Sequence, residues 1–459
     1  MKQEKTEEVK RTGPPVQKAE NTVDFSLSAR IAQRLSLLLI ALVPFHAFLT
    51  VFSASLGVNY TLARLWSAFV LLAVLGVAAY WAWRDTHLRA WLGSSYLMRV
   101  LGLFTVLQLA FGLRGVLLGQ VSADAAFWGV WLNSRYVLFF AAMILLIRYS
   151  KVSLESVVKL VIGCGLVVAA FAVLQYTVLP ADFLKHFGYG EATIMPYETI
   201  NNNNEYLRVI STTRGANPLG AYMAIVIMLI IAFWRKLGHK LTATIMLSLG
   251  VCALLFSYSR SAWLGLFVGF VLFVGLQLRT KRHWRHFGLV ALAVCTVAGV
   301  ALFAFKDEPA LQNALYHTED NSKVAISSND QRAEYISKAA GQVLREPLGR
   351  GVGSAGPASV HNSEAPARLA ENYFLQIGQE AGWFGLFAYI ALLLAVGFQL
   401  WRQRSSTFSL VLLATLIGLS FINLLSHAWT DDTLAFTWWG LAGLAIGDWV
   451  WRRQNQKAS

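Results

Sequence analysis

Hydrophobic residues in this chain fall into long unbroken runs, with neither the two-residue rhythm of a half-buried strand nor the narrow stripe of a soluble helix. Stretches such as SAFVLLAVLGVAAYWAW and LVIGCGLVVAAFAVLQYTVL are apolar on every side. About 20 such residues suffice to cross the hydrocarbon core of a bilayer as a helix. Twelve spans are predicted, at about 34–54, 62–83, 97–118, 127–147, 155–179, 215–234, 241–257, 262–278, 287–305, 383–401, 408–425 and 433–450. The expected fold is an all-α polytopic membrane protein of about twelve transmembrane helices.

Polar residues are confined to the gaps, two of which are long: 180–214 and 306–382, the larger lying between helices 9 and 10. In the larger gap, SSNDQRAEYISKAAGQVLREPLGRGVG predicts a helix with an apolar edge at Ile336, Ala340, Val343 and Leu344. Asn329 or Asp330 would cap it, and Pro347 and Gly349 would stop it. Such a helix lies along a membrane surface or packs on the rest of its loop. The first 25 residues are polar, contain prolines and lack the apolar centre of a cleavable signal, so a disordered tail is expected. The organisation expected is thus a tail at 1–30, nine spans over 31–305, a large loop at 306–382, and three spans with a second tail over 383–459.

Composition agrees with this reading. The chain has 459 residues, 56% of them hydrophobic and only 14% charged, whereas soluble domains carry nearer a quarter. The net charge of +14 reports topology. About 25 of the 39 Lys and Arg lie in the two tails and in RDTHLR, RYSK, RKLGHK, RTKRHWRH and RQR. An excess of Lys and Arg marks the cytoplasmic side, so both termini are expected inside and the two long gaps outside. These charges are dispersed over short segments, and no nucleic-acid partner is expected. Cys164, Cys252 and Cys295 sit inside apolar runs and read as small buried hydrophobes. No His, Cys or carboxylate cluster has metal-ligand spacing, so neither a metal nor another cofactor is expected.

The informative anomaly is the basic minority outside. Ten of those fourteen residues are arginine, whose planar fork suits phosphate and keeps its charge in a partly dry site. Arg114, Arg135, Arg208, Arg214 and Arg260 stand where spans meet the outer surface. Interfacial arginines also simply reach for lipid headgroups. Arg260 is held in a short hairpin, and Arg135 lies inside its apolar run, where a charge is costly unless paired. With Arg214, these are the candidates for holding a lipid diphosphate; Arg64, Arg332, Arg345, Arg350 and Arg368 read as ordinary surface groups. Glu371, in AENYFLQIGQEAGWFG, is either a base or a carboxylate complementing a helix N-terminus. Tyr373 reads first as an interfacial anchor, His361 as an exposed loop residue, and SHAWTDDT, with His427, Asp431 and Asp432, as a solvated turn. Asp448 is expected to pair with Arg452 or Arg453.

Four segments together resemble the O-antigen ligase/polymerase family: SYSRSAWLGL, VISTTRGANPLGAYMAI, DQRAEYISKAAGQVLREPLGRGVG and ENYFLQIGQEAGWFG. They occur in family order from about 206 to 400. The last is similar to the signature His-(Asn/Ser/Gln)-x9-Gly-x-x-(Gly/Thr/Tyr), with Asn372, Gly382 and Gly385 in register and Glu371 where ligases carry His. The resemblance implies a metal-independent, inverting glycosyltransferase of the C-type membrane fold in the cytoplasmic membrane. Its donor would be a glycan on undecaprenyl (polyprenyl) diphosphate, and its acceptor a glycan, lipid A–core or protein hydroxyl. By position and resemblance, Arg214 and Arg260 stabilise the leaving diphosphate, with Arg135 and Arg208 assisting. Glu371 is the candidate base, and Asn372, Tyr373 and His427 face the acceptor. The rival reading is a multi-span transporter or flippase of lipid-linked sugars; transporters show two similar halves around a long central cytoplasmic loop, where this chain has only RKLGHK.

Overall fold

The computed structural model describes residues 25–200, 203–278, 285 and 328–458. Residues 1–24 of the predicted tail, the ninth predicted span at 287–305 and Cys295 lie outside them, while residues 26–30 of that tail belong to the first helix. Eight segments of the described chain are long and apolar enough to cross a membrane. The first is Ser26–Ser55, in which α1 (Ser26–Leu42) passes into α2 (His46–Ser55) through a tight turn carrying Pro44. A short α3 (Tyr60–Arg64) precedes α4 (Trp66–Arg84), α5 (Thr86–Ser94), α6 (Tyr96–Leu117), α7 (Ala123–Tyr149) and α8 (Leu154–Thr177). The next gap carries a two-stranded antiparallel hairpin, β1 (Glu198–Ile200) and β2 (Asn203–Arg208). Then come α9 (Ala216–Phe233), α10 (Lys240–Phe256) and α11 (Arg260–Gln277). Beyond the undescribed segment lie α12 (Ser328–Arg345), α13 (Tyr373–Arg402), α14 (Thr407–Asn423) and α15 (Asp432–Ala458). The chain is an all-α polytopic membrane protein. Cys164 and Cys252 are unpaired thiols, partly buried in α8 and α10.

Helix α12 forms where the sequence predicts it, on a different edge. It buries Ala339 and Val343, while Leu344 is left 70% exposed. The reason is its partner: Val343 packs on Gly378 of α13, and the Trp383 indole donates to the Val343 carbonyl at 3.1 Å. The helix is docked on α13.

What positions the site is a break in α13. Ala381 (φ −114°, ψ 15°) and Gly382 (φ 62°, ψ −158°) leave the helix and then rejoin it. Breaking a helix frees its carbonyls, which need donors when buried. The segment after α12 supplies them: Arg350 N–H donates to Gln379 O (2.9 Å) and Gly351 N–H to Glu380 O (2.8 Å), while Trp383 N–H donates to Pro347 O (2.9 Å). Glycines make this approach possible. A side chain at Gly382 would strike the Pro347 carbonyl, and one at Gly353 would strike the backbone of Ala125 in α7. The PLGRGVG segment therefore threads between α6, α7 and the broken helix.

A buried polar cluster locks this junction. The Glu380 side chain is fully buried and accepts from Asn133 Nδ2 (2.7 Å) and Gly353 N–H (3.0 Å). Asn133 also donates to Gln108 Oε1 (2.9 Å) and accepts from the Tyr373 hydroxyl (3.2 Å), which lies 3.1 Å from that of Tyr136. Sequence reading began the tenth span at 383, which left Glu380 in the loop and unremarked. A carboxylate bordering an apolar run was the signal available.

Candidate functional site

Among the described residues, three non-glycine residues adopt left-handed backbone: Ser211 (φ 53°), Tyr258 (φ 49°) and Glu371 (φ 47°). Each such residue costs about 1–2 kcal/mol and persists only where its surroundings over-determine it, as they do at functional sites. Ser211 lies three residues before Arg214, Tyr258 lies two before Arg260, and Glu371 is itself the candidate base.

The surroundings are visible in each case. Ser211 N–H donates to Gln175 Oε1 (2.9 Å) and its hydroxyl to Val168 O (2.7 Å), while Thr212 donates to Pro44 O (2.9 Å). The ISTTRG turn is thus bolted to α8 and to the α1–α2 turn. Tyr258 lies in the turn between α10 and α11, and Arg208 is fastened to that turn through Ser257 O (3.0 Å). Arg208 also meets Asn217 Oδ1 (2.7 Å) and Glu198 (3.2 Å). Burial lowers the Arg208 guanidinium below its ordinary range, against the attraction of Glu198. Ahead of α13, Asn372 caps the helix by accepting from Leu375 N–H (3.0 Å) and donates to Leu424 O (2.9 Å).

Two cavities meet at Arg214 and Asp431. The smaller, about 130 Å³, is lined by Arg214, Asn217, Glu371, Ser426 and His427 among others. The larger, about 210 Å³, is lined by Arg214, Arg135, Arg64, His46, Trp128 and Asp432 among others. Arg214 lies half-exposed between them, its Nε 3.8 Å from Asp431 Oδ2. Glu371, which lines the smaller cavity, forms an ion pair at 3.6 Å with Arg332 of α12, each side chain about a third exposed (28% and 32%). Arg332 acts electrostatically on Arg208, Arg260 and His427. Arg332 reads as an ordinary surface group in the sequence, because it stands 39 positions before Glu371 and no local pattern links the two.

The remaining candidates are distributed as follows. Arg135 is buried, paired with Asp432 and bonded to Thr430 O (2.7 Å), so its charge is largely committed to joining α7 to α15. Tyr373 is fully buried in the Glu380 cluster and lines neither cavity. Arg114 holds Gly349 O (3.0 Å), and Arg350 and Arg368 both pair with Glu346, whose carboxyl they hold below its usual range, Arg368 most strongly. His361 pairs with Asp124 at 3.4 Å, and Asp448 pairs with Arg452 at 2.8 Å.

The 427–432 turn is not solvated as expected. Asp431 is buried and Asp432 is partly buried, its side chain 12% exposed, and Arg214 and Arg135 reach them from two other elements. Burial raises the Asp431 carboxyl, against the pull of Arg214. Burial also pushes the His427 imidazole down to about 4, and Arg214 and Arg332 add to that effect. In the unfolded chain this group takes up its proton near 6.5. Between about 6.5 and 4 the unfolded state therefore binds the extra proton, and stability falls as pH drops through that window. His427→Gln is expected to flatten this limb, read as Tm against pH in detergent; an unchanged limb would assign the titration to another group.

A carboxylate and a guanidinium in one cleft, with a second guanidinium paired to the carboxylate, suit proton removal beside a developing anion. Residues 243–390, from α10 to the middle of α13, match the O-antigen ligase family model. Over that stretch the chain is similar to O-antigen ligases. The matched segment contains Arg260, Arg332, Glu371 and Glu380, while Arg208 and Arg214 lie N-terminal to it. No curated protein matches the chain.

Proposed function

We propose that the protein is a glycosyltransferase acting at the outer face of the cytoplasmic membrane. It moves a glycan from a polyprenyl (undecaprenyl) diphosphate to the hydroxyl of a glycan, lipid A–core or protein acceptor. The observation that carries this reading is that Glu371 and Arg214 line one cleft, with Arg332 paired to Glu371, Arg260 within the electrostatic reach of Arg332, and left-handed backbone at or just before Glu371, Arg214 and Arg260. The distribution of Lys and Arg supports cytoplasmic termini.

In the reaction, the acceptor oxygen forms a bond to the anomeric carbon as the bond from that carbon to the diphosphate oxygen breaks. The bonding pair departs with the diphosphate, and the acceptor proton passes to the Glu371 carboxylate. Attack opposite the leaving group inverts the anomeric centre. Charge grows on the leaving diphosphate, so fixed guanidiniums favour the transition state over the ground state. Arg214 and Arg260 supply this, and Arg208, braced by Glu198 and Ser257, holds the hairpin beside them.

The test is transfer by the full-length protein in proteoliposomes from a defined undecaprenyl-diphosphate glycan to its acceptor. Arg214→Ala and Arg260→Ala are each expected to lower kcat by about 10²-fold, the scale of one lost oxyanion donor. Wild-type turnover in both variants, or no transfer by the wild type, would end this reading.

A further inference from the structure

Arg332 belongs to no step so far described, yet its guanidinium faces the candidate base. It comes from α12, an element separate from those bearing Arg208, Arg214 and Arg260, and its Nη2 lies 3.6 Å from Glu371 Oε2. Its charge also bears on Arg208 and Arg260. Arg208 has its own carboxylate partner in Glu198. The far end of α12 is anchored: Val343 packs on Gly378, and Gln342 accepts from Gln379 Nε2. The helix is therefore a fixed arm with a long, partly exposed side chain in its N-terminal half.

Two features of this placement are in tension. A carboxylate oxygen that faces a guanidinium is partly screened from an incoming hydroxyl. The Arg332, Arg208 and Arg260 guanidiniums act on one another electrostatically, and a polyanion among them would relieve that repulsion. One ligand relieves both. A diphosphate presents several oxygens and more charge than a single carboxylate, and arginine forks engage such groups in pairs of bonds.

We propose that Arg332 is a diphosphate ligand that rests on Glu371 in the free protein and transfers to the donor's diphosphate when it binds, releasing the carboxylate for the acceptor hydroxyl. The order of binding follows: the donor uncovers the base, so an acceptor cannot be activated before a donor is in place. This rests on the proposed function, of which it specifies the donor site.

The test is binding of undecaprenyl diphosphate, without glycan, to the full-length protein in nanodiscs. Arg332→Ala is expected to raise Kd about tenfold or more, the scale of a lost charge-assisted hydrogen bond, and Arg332→Lys to recover part of the loss. Glu371→Gln is expected to bind at least as tightly as wild type, because it releases Arg332. If wild type binds and Arg332→Ala binds equally well, Arg332 is only a brace for Glu371 and the assignment falls alone. Weaker binding by Glu371→Gln would likewise overturn the exchange. If wild type does not bind undecaprenyl diphosphate at all, the donor class falls and this assignment with it.

Discussion

Glu371→Gln is expected to lower glycan transfer by about 10²–10⁴-fold, the usual worth of a positioned general base, while leaving the fold intact. The amide has the shape of the carboxylate, so the cleft keeps its geometry and loses the capacity to take a proton together with the charge that faces Arg332. The backbone is held independently of this side chain: Asn372 caps α13 and bonds to Leu424, and Tyr373 N–H donates to Ser426 O at 3.1 Å. An unchanged Tm with lost kcat is therefore the expected pair of results. Glu371→Asp, one methylene shorter, should fall between. Turnover within threefold of wild type would remove Glu371 from the chemistry and leave it as a helix-terminal charge.

Gly382→Ala is expected to destabilise the protein by about 2–6 kcal/mol, summing a backbone conformation open essentially to glycine and a steric overlap. The Cβ would be driven into the Pro347 carbonyl and Leu348, at the point where the loop feeds hydrogen bonds to the broken helix. Against a typical stability of about 5–15 kcal/mol, that is a large fraction. Gly163→Ala in α8, where a new methyl group would meet nothing within 4 Å, is the matched control and should be neutral or slightly stabilising. Tm in detergent, with limited proteolysis of the outer loop, reads both. A Gly382→Ala protein with wild-type Tm would mean that the break in α13 does not need its glycine.

The membrane helices are legible in the sequence because length and apolarity alone decide them: nothing but a helix or a closed barrel satisfies its backbone in lipid. Arg214 and Glu371 were legible as an arginine and a carboxylate next to spans, and they line one cleft. The fate of Arg135 was half legible. An arginine within an apolar run demands a partner, but the partner, Asp432, lies 297 residues away, and no local pattern points to it. The same limit hid the burial of the 427–432 turn, since SHAWTDDT has the composition of a solvated loop and is buried by arginines from elsewhere. The spacing between Asn372 and Gly382 could be matched as a motif, but its cause could not: the glycine is needed where another segment's backbone passes.

The threading of residues 347–353 through the break in α13 constrains how the protein is made. That segment and α13 can only settle together, because the freed carbonyls of Gln379 and Glu380 take their donors from Arg350 and Gly351. The last three helices, synthesised later, are therefore seated against a segment made before them. A shortened loop would leave the C-terminal helices without the strap that fixes them to α6 and α7.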